Sequence, residues 1–410
     1  MRAIRVLILF TIMTFSIISC NDTTNNSSNN LTFSIKNPTS VDRIAATFST
    51  SVDAVFKNTK EIDWTKIGFS DGKTLAHQLV DNNADGTPEE ILISTDLKAN
   101  ETKEITITFA DENAKPNFKK RTQAEISHKV NGEWKDRKYI GGTFENVTTL
   151  TAPEQHTDHS YFIRYEGPGW ESDKVGYRFY LDWRNAVDIF GKKTSDMVLQ
   201  DVGQDGFDSY HEPAAWGMDI LKVGKSLGLG AIGFWDEKQA VRVEKTSGLQ
   251  CDILQNGVLQ SKIRTVYSDW DLNDIKTTLT SDLTIQAGSR LTRQDIALSE
   301  NLPNICTGIV KHEDTEIFIQ KPKNNDSWGY IATFGKQSLN EDNLGMVVFI
   351  KGDQFVDFQE DEHSHIVVLK PIDKKVSYYF AAAWEQETNG IKDLVAFKTY
   401  LQNTTAILNN

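Results

Sequence analysis

The chain has 410 residues, 44 of them basic and 57 acidic, for a formal net charge of −13. That balance excludes nucleic acid as the expected partner, because a phosphate backbone calls for a cationic face. A polyanionic glycan would also be repelled overall, so binding one requires a local cationic pocket.

The first twenty residues read as a bacterial lipoprotein signal: Arg2 and Arg5, the apolar run Val6 to Ile18, then Ser19 and Cys20. The apolar run is shorter than the roughly 20 residues a membrane span needs. Cleavage before Cys20 and lipidation of its thiol are expected, which places the mature protein in the bacterial envelope, anchored by lipid. Residues 21–30, rich in Asn, Ser and Thr, read as a disordered tether.

About 380 residues follow, more than one usual domain and enough for a large β-sandwich with a smaller companion. Short strand-like stretches recur between Gly, Asn and Asp turns: Ile91–Ser94, Glu104–Phe109, Tyr161–Tyr165, Leu279–Ile285, Met346–Ile350, His365–Leu369 and Val376–Trp384. The helices of a doubly wound α/β fold are missing, so the expected class is all-β with antiparallel sheets. The expected division is an N-terminal β-rich domain over 31–148 and a larger sandwich over 149–410, with the boundary resting on the polar stretch Glu145 to Thr157. One helix closes the chain, capped by Thr388 or Asn389, with Ile391, Leu394, Val395, Lys398 and Leu401 on one face.

Asp81, Asn83, Asp85 and Glu89 place oxygen-bearing side chains around Gly86, as in short calcium loops. An Asx-rich hairpin turn accounts for the same residues without an ion, so calcium is expected only in a structural role and no cofactor is required for activity. Cys251 and Cys306 are expected as buried thiols. Gly224 to Gly230 lacks the spacing of a phosphate loop and reads as a turn.

Chemistry concentrates between Arg164 and Trp235, where aromatic rings stand beside groups that carry charge or protons. Strand alternation puts Tyr177, Phe179 and Leu181 on one face and Arg178, Tyr180, Asp182 and Arg184 on the other. The second face suits either a cleft wall or a solvated sheet surface. Tyr210 and His211 are the candidate acid and base, provided Pro213 turns the chain so that neighbours share a site. Arg178 and Arg184 are candidate neutralisers of a substrate carboxylate; His159 and His312, with His156 beside them, are candidate proton-transfer or orienting groups. Trp170 and Trp216 are candidate stacking platforms, with Glu171, Lys174 and Lys222 as further substrate contacts.

The run Gly167 to Lys192, the segment Tyr210-His-Glu-Pro-Ala-Ala-Trp-Gly217, Trp270-Asp-Leu with Leu279-Thr-Ser-Asp-Leu, and Tyr378-Tyr-Phe-Ala-Ala-Ala-Trp-Glu385 together resemble a family catalogued as a domain of unknown function in polysaccharide-degrading bacteria. That family includes an ulvan oligosaccharide dehydratase and is similar to galactose-mutarotase-like supersandwich proteins. The resemblance implies loss of water across C4 and C5 of a non-reducing-end uronic acid, with a uronic-acid oligosaccharide as ligand. A glycan-binding lipoprotein without activity and a sugar mutarotase or epimerase remain as alternatives.

Overall fold

The computed structural model describes residues 31–57, 59, 62–109, 117–206 and 209–409. The leader, Cys20 and the tether lie outside the described residues. No described helix is long and apolar enough to cross a membrane.

Antiparallel pairing dominates, as the recurring short strands require. Two three-stranded sheets come first, built from Thr32–Lys36, Thr102–Phe109 and Ile67–Ser70, and from Arg43–Ser51, Glu90–Leu97 and Ala76–Val80. Their facing sides enclose a separate core that includes Phe33, Phe48, Phe69, Ile91 and Ile105. From Thr122 onward the strands join larger sheets of six, five and nine strands.

Strand pairing runs on either side of the expected boundary at 148/149. Strand Thr122–Lys135 pairs with Gly169–Ser172 on one side and Lys138–Val147 on the other, so both long strands belong to the six-stranded sheet. The polar stretch after Glu145 is a connection inside the larger unit.

The nine-stranded sheet forms one layer of the sandwich. The six- and five-stranded sheets form the other, linked through bridges Val187↔Gly228 and Leu229↔Ile309. Gly228 has φ +66°, and a Cβ there would meet the Val187 carbonyl oxygen at 1.9 Å, so the link depends on glycine. Side chains from all three sheets fill one core. Across it Trp170 donates to Thr292 Oγ1 at 2.8 Å, and Tyr177 donates to the Arg290 carbonyl and accepts from Ala382 N–H. Cys251 and Cys306 are free and buried.

The closing helix is Leu394–Leu408, and its N-cap is Asp393, which accepts from Ala396 N–H, rather than Thr388 or Asn389. Its buried side is Phe397, Leu401, Thr404 and Thr405. Val395 is 75% exposed, so the face lies one step round from the expected one. Phe397 stacks on Phe334 of the nine-stranded sheet.

Candidate functional site

Strand Val175–Phe179 carries the alternation expected of it: Tyr177 and Phe179 enter the main core, and Arg178 faces the opposite way. Its register with Val187–Lys192 sets Arg178 directly against Asp188. The next strand, Gly217–Asp219, pairs Asp219 with Phe190, two residues along from Asp188 and therefore on the same face. Three charged side chains thus meet under a single sheet face.

Arg178 is 2% exposed, and its guanidinium is fully engaged. Nη2 donates to Asp188 Oδ2 at 2.8 Å and Asp219 Oδ2 at 2.6 Å; Nη1 donates to the Tyr165 carbonyl and the Tyr210 hydroxyl, both at 3.1 Å. The Tyr180 hydroxyl donates to Asp188 at 2.6 Å. Burial and the charge of Asp219 push the Asp188 carboxyl up to about 7, against the pull of Arg178.

Tyr210 and His211 lie on a 3₁₀ turn, Ser209–His211, and their rings are 4.4 Å apart. The turn resolves the difficulty that adjacent residues of a strand face opposite ways. Tyr210 is buried, with a phenol that burial pushes up, so it stays protonated and can donate but cannot act as a base near neutral pH. His211 is 31% exposed in its side chain, with Nδ1 3.4 Å from Asp219 Oδ2. A carboxylate at that position can orient the ring.

The segment leading into this cluster is strained. His159, Tyr161, Tyr165 and Glu166 all have positive φ, between +38° and +69°. The expected strand Tyr161–Tyr165 is therefore absent, and the chain instead makes a 3₁₀ turn at Arg164–Glu166. Arg164 pins that turn from below, donating to the Gln200 carbonyl at 2.7 Å and pairing with Glu125. Glu166 is turned toward the cluster, where its carboxylate accepts from His159 N–H and pairs with Arg184 at 3.1 Å. Although burial works against it, Arg178 and Arg184 hold the Glu166 carboxyl down to about 2.

Arg184 is bound through Asp182, Asp158 and Glu166, with its guanidinium 4.0 Å from the centre of the Tyr180 ring. His159 Nδ1 is 2.9 Å from Asp158 Oδ1. Asp158, His159 and Glu166 each offer a ligand-type atom within 4.8 Å of the others, a donor set that could hold a metal ion, although Arg184 already occupies both carboxylates. The opening bounded by Phe144, His159, Tyr161, Glu166 and Tyr210 measures about 10 Å³, room for one water and not for a sugar ring. A sugar must therefore approach from outside, against the exposed sides of His211 and His159.

Several expected contacts are placed elsewhere. Trp170 is no stacking platform: it is 1% exposed, lies against Tyr177 and is bonded to Thr292. Glu171 is equally inaccessible, paired with buried Lys192 and accepting from Val198 and Leu199 N–H. Arg178 cannot neutralise a substrate carboxylate, because it is buried and engaged by Asp188 and Asp219. Lys174 stands at the turn after Ser172, near Asp173 and Arg290. Lys222 is exposed beyond Gly217–Asp219. His312 is exposed between strands Ile305–Val310 and Thr315–Gln320, where its Nδ1 accepts from Asp314 N–H. Half-buried Trp216 packs edge-on to Phe190 beside Tyr210. His156 is buried with Nδ1 2.7 Å from Ser160 Oγ, and burial lowers its pKa.

Asp188 and Glu166 were not among the expected site residues. One signal was legible: Asp188 interrupts the apolar run Val187 to Phe190, and a charge inside a buried strand demands a partner.

In the turn Asp81 to Glu89, Asp81 Oδ2 accepts from Gly86 N–H, Asn83 from Asp85 N–H, Asp85 from Thr87 N–H and Glu89 from Asn82 N–H. Carboxylate oxygens of Asp81, Asp85 and Glu89 lie within 4.8 Å of one another, a set that could hold calcium. The backbone bonds alone also account for the turn.

The structure defines a two-layer antiparallel β-sandwich with a buried arginine–carboxylate cluster beside a tyrosine–histidine pair. The chain belongs to the family described as Domain of unknown function (DUF4861), whose model matches residues 35–410. It is similar to "Uncharacterized protein P7" of Formosa agariphila, 20% identical over 362 residues, covering 82% of this chain and 80% of that one. Among solved structures it is similar to a glycosyl hydrolase family 38 protein from Enterococcus faecalis, with TM-score 0.43, 10% identity, and coverage of 93% of this chain and 47% of that one. An α-mannosidase from Enterococcus faecalis V583 gives TM-score 0.43, 9% identity, 92% and 45%. A putative aldose 1-epimerase from Klebsiella pneumoniae gives TM-score 0.30, 9% identity, 59% and 83%. The chain spans about half the length of the first two structures.

Proposed function

We propose that the protein is an oligosaccharide dehydratase, a carbon–oxygen lyase that removes water from the non-reducing-end uronic acid of ulvan-type oligosaccharides. The observation that carries the reading is the Tyr210–His211 pair. A protonated phenol and an orientable imidazole are in ring contact, and the imidazole reaches the surface.

In this reading His211 takes the C5 proton, the C5–H electrons form the C4=C5 bond, and the C4 hydroxyl leaves as water with a proton delivered from the Tyr210 side. The substrate carboxylate needs an opposing charge before C5 is acidic. Arg178 is inaccessible, so this task falls to Arg184, which retains 13% side-chain exposure, with His159 beside it across Asp158. Export and lipidation at Cys20 belong to the same proposal, supported by the order of charged start, apolar run, Ser19 and Cys20.

The test is incubation with saturated glucuronyl-rhamnose sulfate oligosaccharides. A mass loss of one water with new ultraviolet absorbance is expected, and neither change across a panel of ulvan oligomers sinks the lyase reading. A second reading, a mutarotase or epimerase, is favoured by one observation. Asp158, Glu166, Asp182, Asp188 and Asp219 outnumber the two arginines they surround, a setting better suited to an uncharged sugar. That activity leaves mass unchanged and alters anomeric or stereochemical composition, which NMR detects.

A further inference from the structure

We propose that the outer face of the nine-stranded sheet carries a second glycan-binding site, separate from the Tyr210–His211 pair, which takes an uncharged stretch of an extended oligosaccharide. A groove of about 460 Å³ lies there, within the range of small-molecule sites. Its floor is the sheet, and its wall is the N-terminal unit, which contributes Ser49, Asn82 and Glu90.

Strand registry orders the floor. Lys262 pairs with Thr284, Thr284 with Arg293, and Arg293 with Tyr379, so four side chains form one row across four neighbouring strands. The row advances by about 4.8 Å per strand. That step is close to the length of one pyranose ring in an extended chain, so successive sugars would meet successive side chains. A second row, Gln260 and Gln286, runs beside it with their amides bonded to each other at 2.9 Å.

The chemistry of the row matches hydroxyl-rich, uncharged rings. Amides, a threonine and an arginine supply planar or short hydrogen-bonding groups, and the half-buried Tyr379 ring offers a stacking surface braced by Trp328 at 5.3 Å. Each cation is already matched, Lys262 by Asp282 at 3.0 Å and Arg293 by Asp295 at 2.9 Å, while Glu90 adds a carboxylate. An anionic sugar gains no unpaired cation there.

The wall is fixed in place, so the groove is preformed. Gln78 accepts from Leu259 and Gln260 N–H, Thr47 donates to the Ala287 carbonyl at 2.8 Å, and Val80, Leu92, Leu259 and Ala287 pack together beneath the seam.

The proposal shares only its ligand class with the reading above and does not depend on turnover. Its test is calorimetric titration of the mature protein with xylotetraose and xylohexaose as uncharged extended probes. Binding to the parent is expected, tighter for the longer probe. Tyr379→Ala should weaken it by about tenfold, the loss of one stacking ring. Thr284→Trp, which fills the floor without opening the core, should abolish it even if Tyr379→Ala fails to fold. His211→Ala should bind the probes as the parent does, whatever its activity on uronyl oligosaccharides. Lack of binding by the parent, or binding that Thr284→Trp leaves intact, overturns the proposal.

Discussion

Asp219 Oδ2 lies 2.6 Å from Arg178 Nη2 and 3.4 Å from His211 Nδ1, so one buried oxygen joins the arginine cluster to the half-exposed imidazole. Whatever changes the charge of the cluster is therefore felt at the one histidine of the pair that a substrate can touch.

His211→Ala removes the proposed base from a half-exposed position. Turnover should fall by about 100-fold or more with the melting temperature near that of the parent. Tyr210→Phe should lower turnover similarly but also lower stability by about 1.5–3 kcal/mol, because the phenol oxygen accepts a charged hydrogen bond from Arg178. Steady-state kinetics with thermal melts separate the two effects, and full activity in both variants removes the pair from the mechanism.

Arg178→Leu should be severely destabilising, by about 3–5 kcal/mol, since it leaves Asp188 and Asp219 buried without their cation. Denaturant unfolding measures this. A loss below about 1 kcal/mol would show that the carboxyls find another partner.

Trp170→Ala should cost about 3–5 kcal/mol and leave glycan affinity of the folded fraction unchanged, because the ring is core. Urea unfolding beside the titrations described above tests both halves.

Asp188 gives stability a pH dependence of definite sign. Its folded-state carboxyl is raised to about 7, so the folded protein binds that proton more tightly than the unfolded chain. Its contribution to stability therefore rises as pH falls through about 7 and levels off near its ordinary value of 3.8. Glu166 works oppositely and lower: its folded value near 2 against 4.5 gives stability that is intact above 4.5 and lost as pH falls toward 2. Between about pH 5 and 7 the difference in melting temperature between the parent and Asp188→Asn should thus shift in favour of the parent as pH falls. A difference independent of pH would contradict the raised carboxyl.

The fold class and most strands were legible because strand residues repeat with period two and the turns are marked by Gly, Asn and Asp. Arg178 was legible as a polar residue opposed to Tyr177 and Phe179. Its surroundings were not, since Asp188 and Asp219 reach it through cross-strand register, which local pattern does not set. Tyr161–Tyr165 looked like a strand because it is aromatic and β-branched, yet the tertiary grip on Arg164 and Glu166 imposes a turn. Trp170 looked like a sugar platform because ring plus neighbouring charge is the same pattern whether the ring faces solvent or core.

The left-handed backbone at His159, Tyr161, Tyr165 and Glu166 has an evolutionary consequence. Each such residue costs about 1–2 kcal/mol that glycine would not. Selection for heat resistance alone should therefore bring glycine to half-buried Tyr161, whereas selection for turnover should reject it if the segment's rigidity aims His159 and Glu166. Parallel selection of one mutant library under the two regimes would diverge at this position first, and the direction of that divergence would separate a working segment from a merely strained one.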